Sequence, residues 1–183
     1  MKIIKWIGIV VVGLIVIFLV AGLFLPETSH VERSIIIYAP TDSVYNVVSD
    51  YNYYRAWNPW SRIDPQAKGE ISGPLGDIGQ KWTWESEIIG SGSLTTQKLI
   101  PGKYIKSNLV FTSPQAMQSD DIWFFDKAEN GTKVTWINEA SLDYPVGRYF
   151  GLFMDKMIGT DFEAGLQNLK KLCEDKSEVS EGI

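Results

Sequence analysis

Two glutamates in the middle of the chain, Glu85 and Glu87, have the spacing of a catalytic carboxylate pair. Residues two apart on a β-strand share a face, and paired carboxylates in different surroundings can divide the roles of general acid and general base. However, Trp82 and Trp84 alternate with them and are expected to occupy the inner face of the strand. The pattern therefore favours a solvated pair at a strand edge. Asp120-Asp121 indicates only the entrance to a strand.

Asp161 is the acid with the strongest argument for a site. Counting 100° per residue from Phe150 places it within the apolar arc of a predicted C-terminal helix. A carboxyl group in an apolar wall has a raised pKa unless it is paired, and such groups mark functional sites. The alternative is local, because residues 160–163 (TDFE) have the form of a capping box that could restart a helix at Thr160. The capping box is the favoured interpretation.

The other chemically active residue types form no catalytic or metal-binding pattern. The single histidine, His30, lies in a predicted tether, and no Ser/His/Asp or Cys/His set accompanies it. The single cysteine, Cys173, excludes an internal disulfide and a cysteine-based metal cluster. The clustered glycines of residues 73–92 lack the ending of a phosphate-binding loop and indicate turns. We therefore predict no catalytic residue, no metal and no cofactor.

Tryptophan is abundant, with seven residues in the chain and six of them after the apolar N-terminal segment. Each supplies a large apolar area and one N–H donor that needs a partner. Together with two methionines of the C-terminal helix they could line a ligand cavity, or they could fill the core. The residues concerned are Trp57, Trp60, Trp82, Trp84, Trp123, Trp136, Met154 and Met157.

The segment from Trp6 to Leu25 is twenty consecutive residues without a polar side chain. As a helix it would be about 30 Å long, the thickness of the hydrocarbon core of a bilayer. A cleaved signal peptide is the alternative, but its apolar core usually has about 7–15 residues, so an uncleaved single-pass anchor is favoured. Lys2 and Lys5 precede the segment and Glu27 follows it. The positive-inside tendency then places the N-terminus in the cytoplasm and the rest of the chain on the extracytoplasmic side.

The remainder of the chain is acidic. The net charge of −5 becomes −7 when the two positive charges of Lys2 and Lys5 are left out. Nucleic-acid binding needs basic stripes, so this charge argues against a nucleic-acid partner. It also argues against electrostatic docking on anionic lipid head groups.

The pattern of elements predicts an α+β domain over residues 27–176, between the anchor of residues 1–26 and a disordered polar tail of residues 177–183. A first strand over residues 31–39 and about six strands between residues 68 and 142 give an antiparallel sheet of about seven strands. Asn130-Gly131 is its strongest hairpin signal.

Three helices are predicted in the same domain. Thr41 or Asp42 caps a short helix, and a second covers residues 51–57. A long C-terminal helix covers residues 149–175 and could break near Gly159. Gly165 lies within its apolar arc, so the helix can approach the sheet closely there.

This order of elements resembles the helix-grip fold of the START-like, or SRPBCC, superfamily, and in particular its membrane-anchored bacterial branch with polyketide cyclase/dehydrase-like domains. The resemblance extends over nearly all of residues 30–175. It rests on the segments HVERSI (30–35) with Ala39-Pro40, WNPW (57–60), GTKVTW (131–136), GLFMD (151–155) and GTDFE (159–163). The superfamily contains enzymes, carriers and regulators, so the resemblance implies a curved sheet around a long helix with a cavity between them, and no particular activity.

The leading functional hypothesis is a membrane-tethered domain that binds a small hydrophobic, lipid-like ligand in that cavity. The tryptophans and methionines above would line it, and Arg55, Asn58 and Asp161 would orient the ligand. One alternative is an enzyme of the cyclase or dehydrase type, which would need Asp161 as its acid or base. Another is a protein-interaction or regulatory module with a filled core. The oligomeric state is not predicted.

Overall fold

The computed structural model describes residues 2–181, with side chains described for residues 3–175. It contains one long N-terminal helix and an α+β domain, as predicted. The helices are α1 (Lys2–Gly22), α2 (Thr41–Ser49), α3 (Tyr54–Trp57), α4 (Trp60–Ile63) and α5 (Val146–Glu181), with a 3-10 turn at Tyr51–Tyr53. The strands are β1 (Thr28–Ile37), β2 (Lys68–Ser72), β3 (Lys81–Glu85), β4 (Ser91–Ile100), β5 (Tyr104–Ser113), β6 (Met117–Ala128) and β7 (Gly131–Ser141).

The seven strands form one antiparallel sheet in the order β1-β7-β6-β5-β4-β3-β2, which confirms the predicted strand number. β1 lies beside β7, with Thr28 opposite Ser141 and Ile37 opposite Thr132. β1 begins three residues earlier than expected, so His30 belongs to a strand and not to a tether. The sheet therefore starts almost directly after α1.

The predicted hairpin at Asn130-Gly131 joins β6 to β7. The turn itself is Glu129-Asn130, because Ala128 pairs with Gly131 as the first residue of β7. Glycine is needed at position 131 since a Cβ atom there would lie 2.1 Å from the Ile37 carbonyl oxygen. The hairpin signal was right, and its glycine serves a close approach of β1.

The short helices differ in detail from the expectation. Neither Thr41 nor Asp42 caps α2, whose N-cap position is occupied by Pro40 without a side-chain hydrogen bond. The Thr41 hydroxyl instead accepts a hydrogen bond from Thr132 at 3.1 Å, which ties the start of α2 to β7. The predicted second helix over residues 51–57 is divided into the 3-10 turn and α3.

α5 is one continuous helix from Val146 to Glu181. The predicted break near Gly159 was wrong, because the glycines of this helix serve packing. A Cβ atom on Gly165 would lie 2.9 Å from the Trp136 ring, which confirms the expected close approach to the sheet. Of the segment predicted to be a disordered tail, residues 177–181 belong to the helix, and Gly182 and Ile183 lie outside the described residues.

α1 is the single helix in the described part of the chain that is long and apolar enough to cross a membrane. Its candidate span is Ile3–Gly22, and within it only Gly22, at the end next to the domain, is buried. Only its C-terminal end contacts the domain, where the Phe18 ring stacks on Tyr149 with 4.4 Å between centroids.

Candidate functional site

A cavity of about 160 Å³ lies between the inner face of the sheet and α5. Its wall is mainly aromatic and aliphatic, with side chains from α3, α4, α5 and strands β3 to β7. Six of the eleven predicted site residues are in this wall: Asn58, Trp60, Trp82, Trp84, Trp136 and Met154.

The other five predicted site residues are not in the wall. Trp57 and Trp123 are buried behind it, with 5.5 Å between their ring centroids. Arg55 is exposed and donates a hydrogen bond to the Pro65 carbonyl. Met157 is exposed on the outer side of α5, and Asp161 is half-buried within the continuous helix. The restarted helix that the capping box predicted at Thr160 is absent, because α5 passes through this point without interruption.

Stacked aromatic rings form the floor of the cavity. Trp136 lies between Trp123, at 4.5 Å, and Phe162 of α5, at 3.9 Å between centroids. Trp82 and Trp84 stack on each other at 4.6 Å. Aromatic pairs of this kind contribute stability beyond the burial of their area.

Asp121 is the polar centre of this floor. It lies within β6, is buried, and accepts hydrogen bonds from the indole N–H of Trp136 at 2.6 Å and of Trp123 at 2.8 Å. Burial raises the pKa of the Asp121 carboxyl to about 6, although the two indole donors act in the opposite direction. The expectation of a strand entrance was wrong for Asp121. It does not fit Asp120 either, because Asp120 is the fourth residue of β6; its half-exposed carboxylate pairs with Lys106 at 2.7 Å.

Two amides and a hydroxyl belong to the same cavity wall as this carboxylate. The Asn138 side-chain N–H donates to Ser119 Oγ at 2.9 Å. Asn58 is buried, and its Oδ1 accepts from the backbone N–H of Trp60 at 2.8 Å. That bond fixes the orientation of the amide, so Nδ2 is the atom that has no hydrogen-bond partner among the described residues. The cavity wall thus contains a carboxylate acceptor, and the Asn58 amide donor lies buried within it.

Tyr54 is the second titratable residue of the wall. Burial raises its pKa well above the ordinary value, with a smaller contribution from the nearby Asp121 charge. Its phenol therefore stays neutral across the physiological range, and Asp121 is the wall residue whose charge changes near neutral pH.

The remaining sequence candidates lie elsewhere. Glu85 ends β3, and Glu87 lies beyond it, so the two do not share a strand face. Both are exposed beside a polar surface depression.

The His30 ring bridges Glu139, at 2.9 Å, and Glu32, at 3.2 Å. These contacts raise the pKa of His30, and the hydrogen bond to Glu139 contributes most. Among the described residues, no group of three or more His, Cys, Asp or Glu side chains could hold a metal ion.

Arg33 of β1 attaches α5 to the sheet through two ion pairs. Its guanidinium contacts Asp155 and Glu163 of α5, each at 2.7 Å, and lowers the pKa of Asp155. The helix can come this close because a Cβ atom on Gly159 would lie 2.1 Å from Arg33 Nη2. This clamp fixes the helical turns that carry Met154 and Ile158, and with them one side of the cavity.

The comparisons with known proteins agree with this architecture. Residues 28–174 match the family model described as polyketide cyclase / dehydrase and lipid transport. The fold is similar to that of the Zhui aromatase/cyclase from Streptomyces sp. R1128, at 18% identity and a TM-score of 0.58, covering 82% of this chain and 96% of that one.

Two further solved structures share the fold. The di-domain ARO/CYC StfQ from the steffimycin biosynthetic pathway has 11% identity and a TM-score of 0.64, covering 83% of this chain and 52% of that one. The protein of unknown function SA2116 from Staphylococcus aureus has 14% identity and a TM-score of 0.64, covering 83% and 97%. No curated protein matches the chain in sequence. Since the family model spans most of its length, the chain belongs to the polyketide cyclase/dehydrase and lipid transport family.

Proposed function

We propose that the domain is tethered to a membrane by α1 and binds a small, mostly apolar ligand in the cavity between the sheet and α5. The observation that carries this proposal is an aromatic wall interrupted by the buried Asp121 carboxylate. Ligand sites are typically apolar concavities in which a few polar groups fix the orientation of the ligand. The core is not filled, which counts against a pure interaction module.

The size of the cavity limits the ligand. About 160 Å³ is well below the usual range of roughly 300–1,000 Å³ for ligand pockets. It is close to an engineered apolar cavity of about 150 Å³ that holds benzene. The part of the ligand that the cavity encloses is therefore one ring, or the end of a single chain of a lipid-like molecule. Any remainder would leave past Met117, a wall residue with 41% exposure.

The polar groups define which ligands fit best. A hydroxyl group at the polar part of the wall could donate to the Asp121 carboxylate, whose oxygens each have a further lone pair beside the indole hydrogen bond. A ligand of the same shape without a hydroxyl cannot donate to the carboxylate, and a hydrogen bond to a charged group contributes about 1.5–3 kcal/mol. The site should therefore prefer phenol-like or alcohol-like ligands over hydrocarbons.

A matched pair of probes, p-cresol and toluene, tests this preference on the full chain in detergent. We expect quenching of tryptophan fluorescence to report binding of both, with p-cresol tighter. Asp121→Asn should weaken p-cresol and leave toluene nearly unchanged. An equal effect on the two probes would contradict the role of the carboxylate.

A steric variant tests the cavity itself. Leu109→Trp should remove binding of both probes, because Leu109 lines the cavity on β5. The adjacent Val110→Trp is the matched control, since alternate residues of a strand face opposite sides of the sheet. Retained binding in Leu109→Trp, or equal loss in both variants, would place the probes elsewhere.

A second candidate is an enzyme of the cyclase/dehydrase type, favoured by the pKa of about 6 at Asp121. A carboxyl group with this pKa can act as general base and then as general acid at neutral pH. In the dehydration of a β-hydroxy ketone, the carboxylate would take the α-proton and return it to the departing hydroxyl group as water. Absorbance of the enone product that appears with wild type and disappears with Asp121→Asn would favour this activity over simple binding.

A further inference from the structure

Four exposed apolar side chains form a stripe along the first three turns of α5. Val146, Phe150, Phe153 and Met157 are 55–58% exposed. Their spacing of four, three and four residues places them within an arc of about 60° on the helix. We call these four residues the α5 stripe. Met154, adjacent to the stripe, lines the cavity.

The α5 stripe begins beside the end of the candidate membrane span. The Tyr149 hydroxyl donates to the Phe18 carbonyl at 2.6 Å, and the Tyr144 hydroxyl donates to the Leu19 carbonyl at 2.8 Å. Phe18 precedes the end of the span at Gly22 by four residues, or about 6 Å along the helix axis. If α1 crosses a bilayer, both tyrosines lie at its interface, where this residue type is enriched.

The mouth of the cavity lies at the same end of the domain. β1 starts there at Thr28, which pairs with the end of β7 at Ser141. Because the sheet is antiparallel, the β3–β4 and β5–β6 connections are at this end as well. They present Ile88 at 69% exposure and the cavity residue Met117 at 41% exposure.

We propose that the α5 stripe is a second membrane contact, lying in the boundary between head groups and acyl chains of the leaflet from which α1 emerges. This inference rests on the proposed tether. It directs the cavity mouth to the bilayer, so the ligand would enter from the lipid phase. The contact is apolar and not electrostatic: the nearby Arg148 is paired with Glu27 at 2.7 Å, and the chain outside the span is acidic.

Depth measurements on the full chain test this proposal. In a Cys173→Ala background, Phe153→Cys carries a fluorescent label, and Lys171→Cys, exposed farther along the same helix, is the matched control. The chains are reconstituted in phosphatidylcholine vesicles with brominated acyl chains. We expect loss of most of the Phe153→Cys emission and little loss at Lys171→Cys. Met157→Cys serves as a second reporter in case the first variant fails to fold.

Three results would overturn the proposal in distinguishable ways. Equally weak bromolipid quenching at both positions would show that the stripe faces water. A Phe153→Cys label shielded from both bromolipid and aqueous iodide would show that a protein surface covers the stripe. Release of the chain from the vesicles by alkaline carbonate would show that the tether itself is absent.

Discussion

Asp121 has two roles in the structure. It organises the aromatic floor by accepting hydrogen bonds from two stacked indoles, and it lines the cavity. Its burial favours the protonated form, while the indole donors favour the charged form. Burial prevails, so the charge of the cavity changes within the physiological pH range.

This balance predicts a pH-dependent stability. The pKa of Asp121 is about 6 in the folded chain, against an ordinary value of 3.8. Between pH 4 and 6 the folded chain therefore binds more protons than the unfolded chain, and the free energy of unfolding falls as the pH rises. A pKa raised by about two corresponds to roughly 3 kcal/mol in the free energy of unfolding. This stabilisation is lost between pH 4 and 6, and the free energy of unfolding then stays constant with respect to this group above pH 6.

Asp121→Asn isolates this effect, because the variant lacks the titrating group and all other groups cancel in the comparison. Urea unfolding of both proteins in detergent at pH 4, 5, 6 and 7 gives their difference in unfolding free energy. We expect wild type to lose roughly 3 kcal/mol relative to the variant over this range. A difference independent of pH would show that Asp121 is not buried as described.

The sequence contains the signal that locates Asp121, although the Asp-Asp pair hides it. Ser119, Asp121, Trp123 and Phe125 alternate on β6, and all four are buried. Residues two apart share a face, so the position of Asp121, two residues before a tryptophan of the inner face, indicates that it points inward. Asp161 was the strongest candidate acid because a helical wheel shows which way a side chain points. The wheel does not show how deeply the side chain is buried or where the cavity ends.

At the scale of elements, the attachment of α5 to the sheet decides the shape of the cavity. Two glycines allow it: Gly159 receives the Arg33 guanidinium, and Gly165 receives the edge of Trp136. The strand and helix pattern predicted the helix and the sheet, because their periodicities are local. The role of Gly159 depends on an arginine more than a hundred residues away, so the glycine looked like a helix break.

Gly165→Ala should destabilise the fold although alanine is the better helix former. The new methyl group would lie 2.9 Å from the Trp136 ring and 3.1 Å from Pro59 Cδ. Overpacking costs typically 1–3 kcal/mol, and the helix propensity gain returns at most about 1 kcal/mol. We expect a net loss of about 1–2 kcal/mol in urea unfolding. Gln167→Ala, on the exposed side of the same helix, should show no loss; equal behaviour of the two variants would contradict the close approach.

Arg33→Lys tests the clamp between β1 and α5. Lysine keeps the charge but loses the planar fork that contacts Asp155 through two nitrogens and Glu163 through a third. We expect faster hydrogen exchange of the α5 amides around residues 154–160, with little change around residues 166–173, which are packed on the core by Leu166 and Leu169. If the amides around residues 154–160 exchange in the variant at the same rate as in wild type, the clamp does not stabilise this segment.

At the scale of the whole molecule, charge and apolar surface have separate places. The stripe, the exposed Ile88 and the end of α1 give one end of the domain an apolar character. The chain without Lys2 and Lys5 has a net charge of −7, against −5 for the whole chain. A bilayer on the apolar end satisfies both features, because acidic side chains remain in water.

The orientation of the chain follows from the same charges and gives the last prediction. Lys2 and Lys5 precede the span and Glu27 follows it, so the domain should lie on the extracytoplasmic side. In the Cys173→Ala background, Lys171→Cys should react with a membrane-impermeant maleimide in intact cells. Reaction only after permeabilisation would place the domain in the cytoplasm.

Exchanging the flanking charges, with Lys2→Glu, Lys5→Glu and Glu27→Lys, should lower the fraction of the chain that is labelled from outside. The reason is that cationic residues are retained in the cytoplasm whichever end of the span carries them.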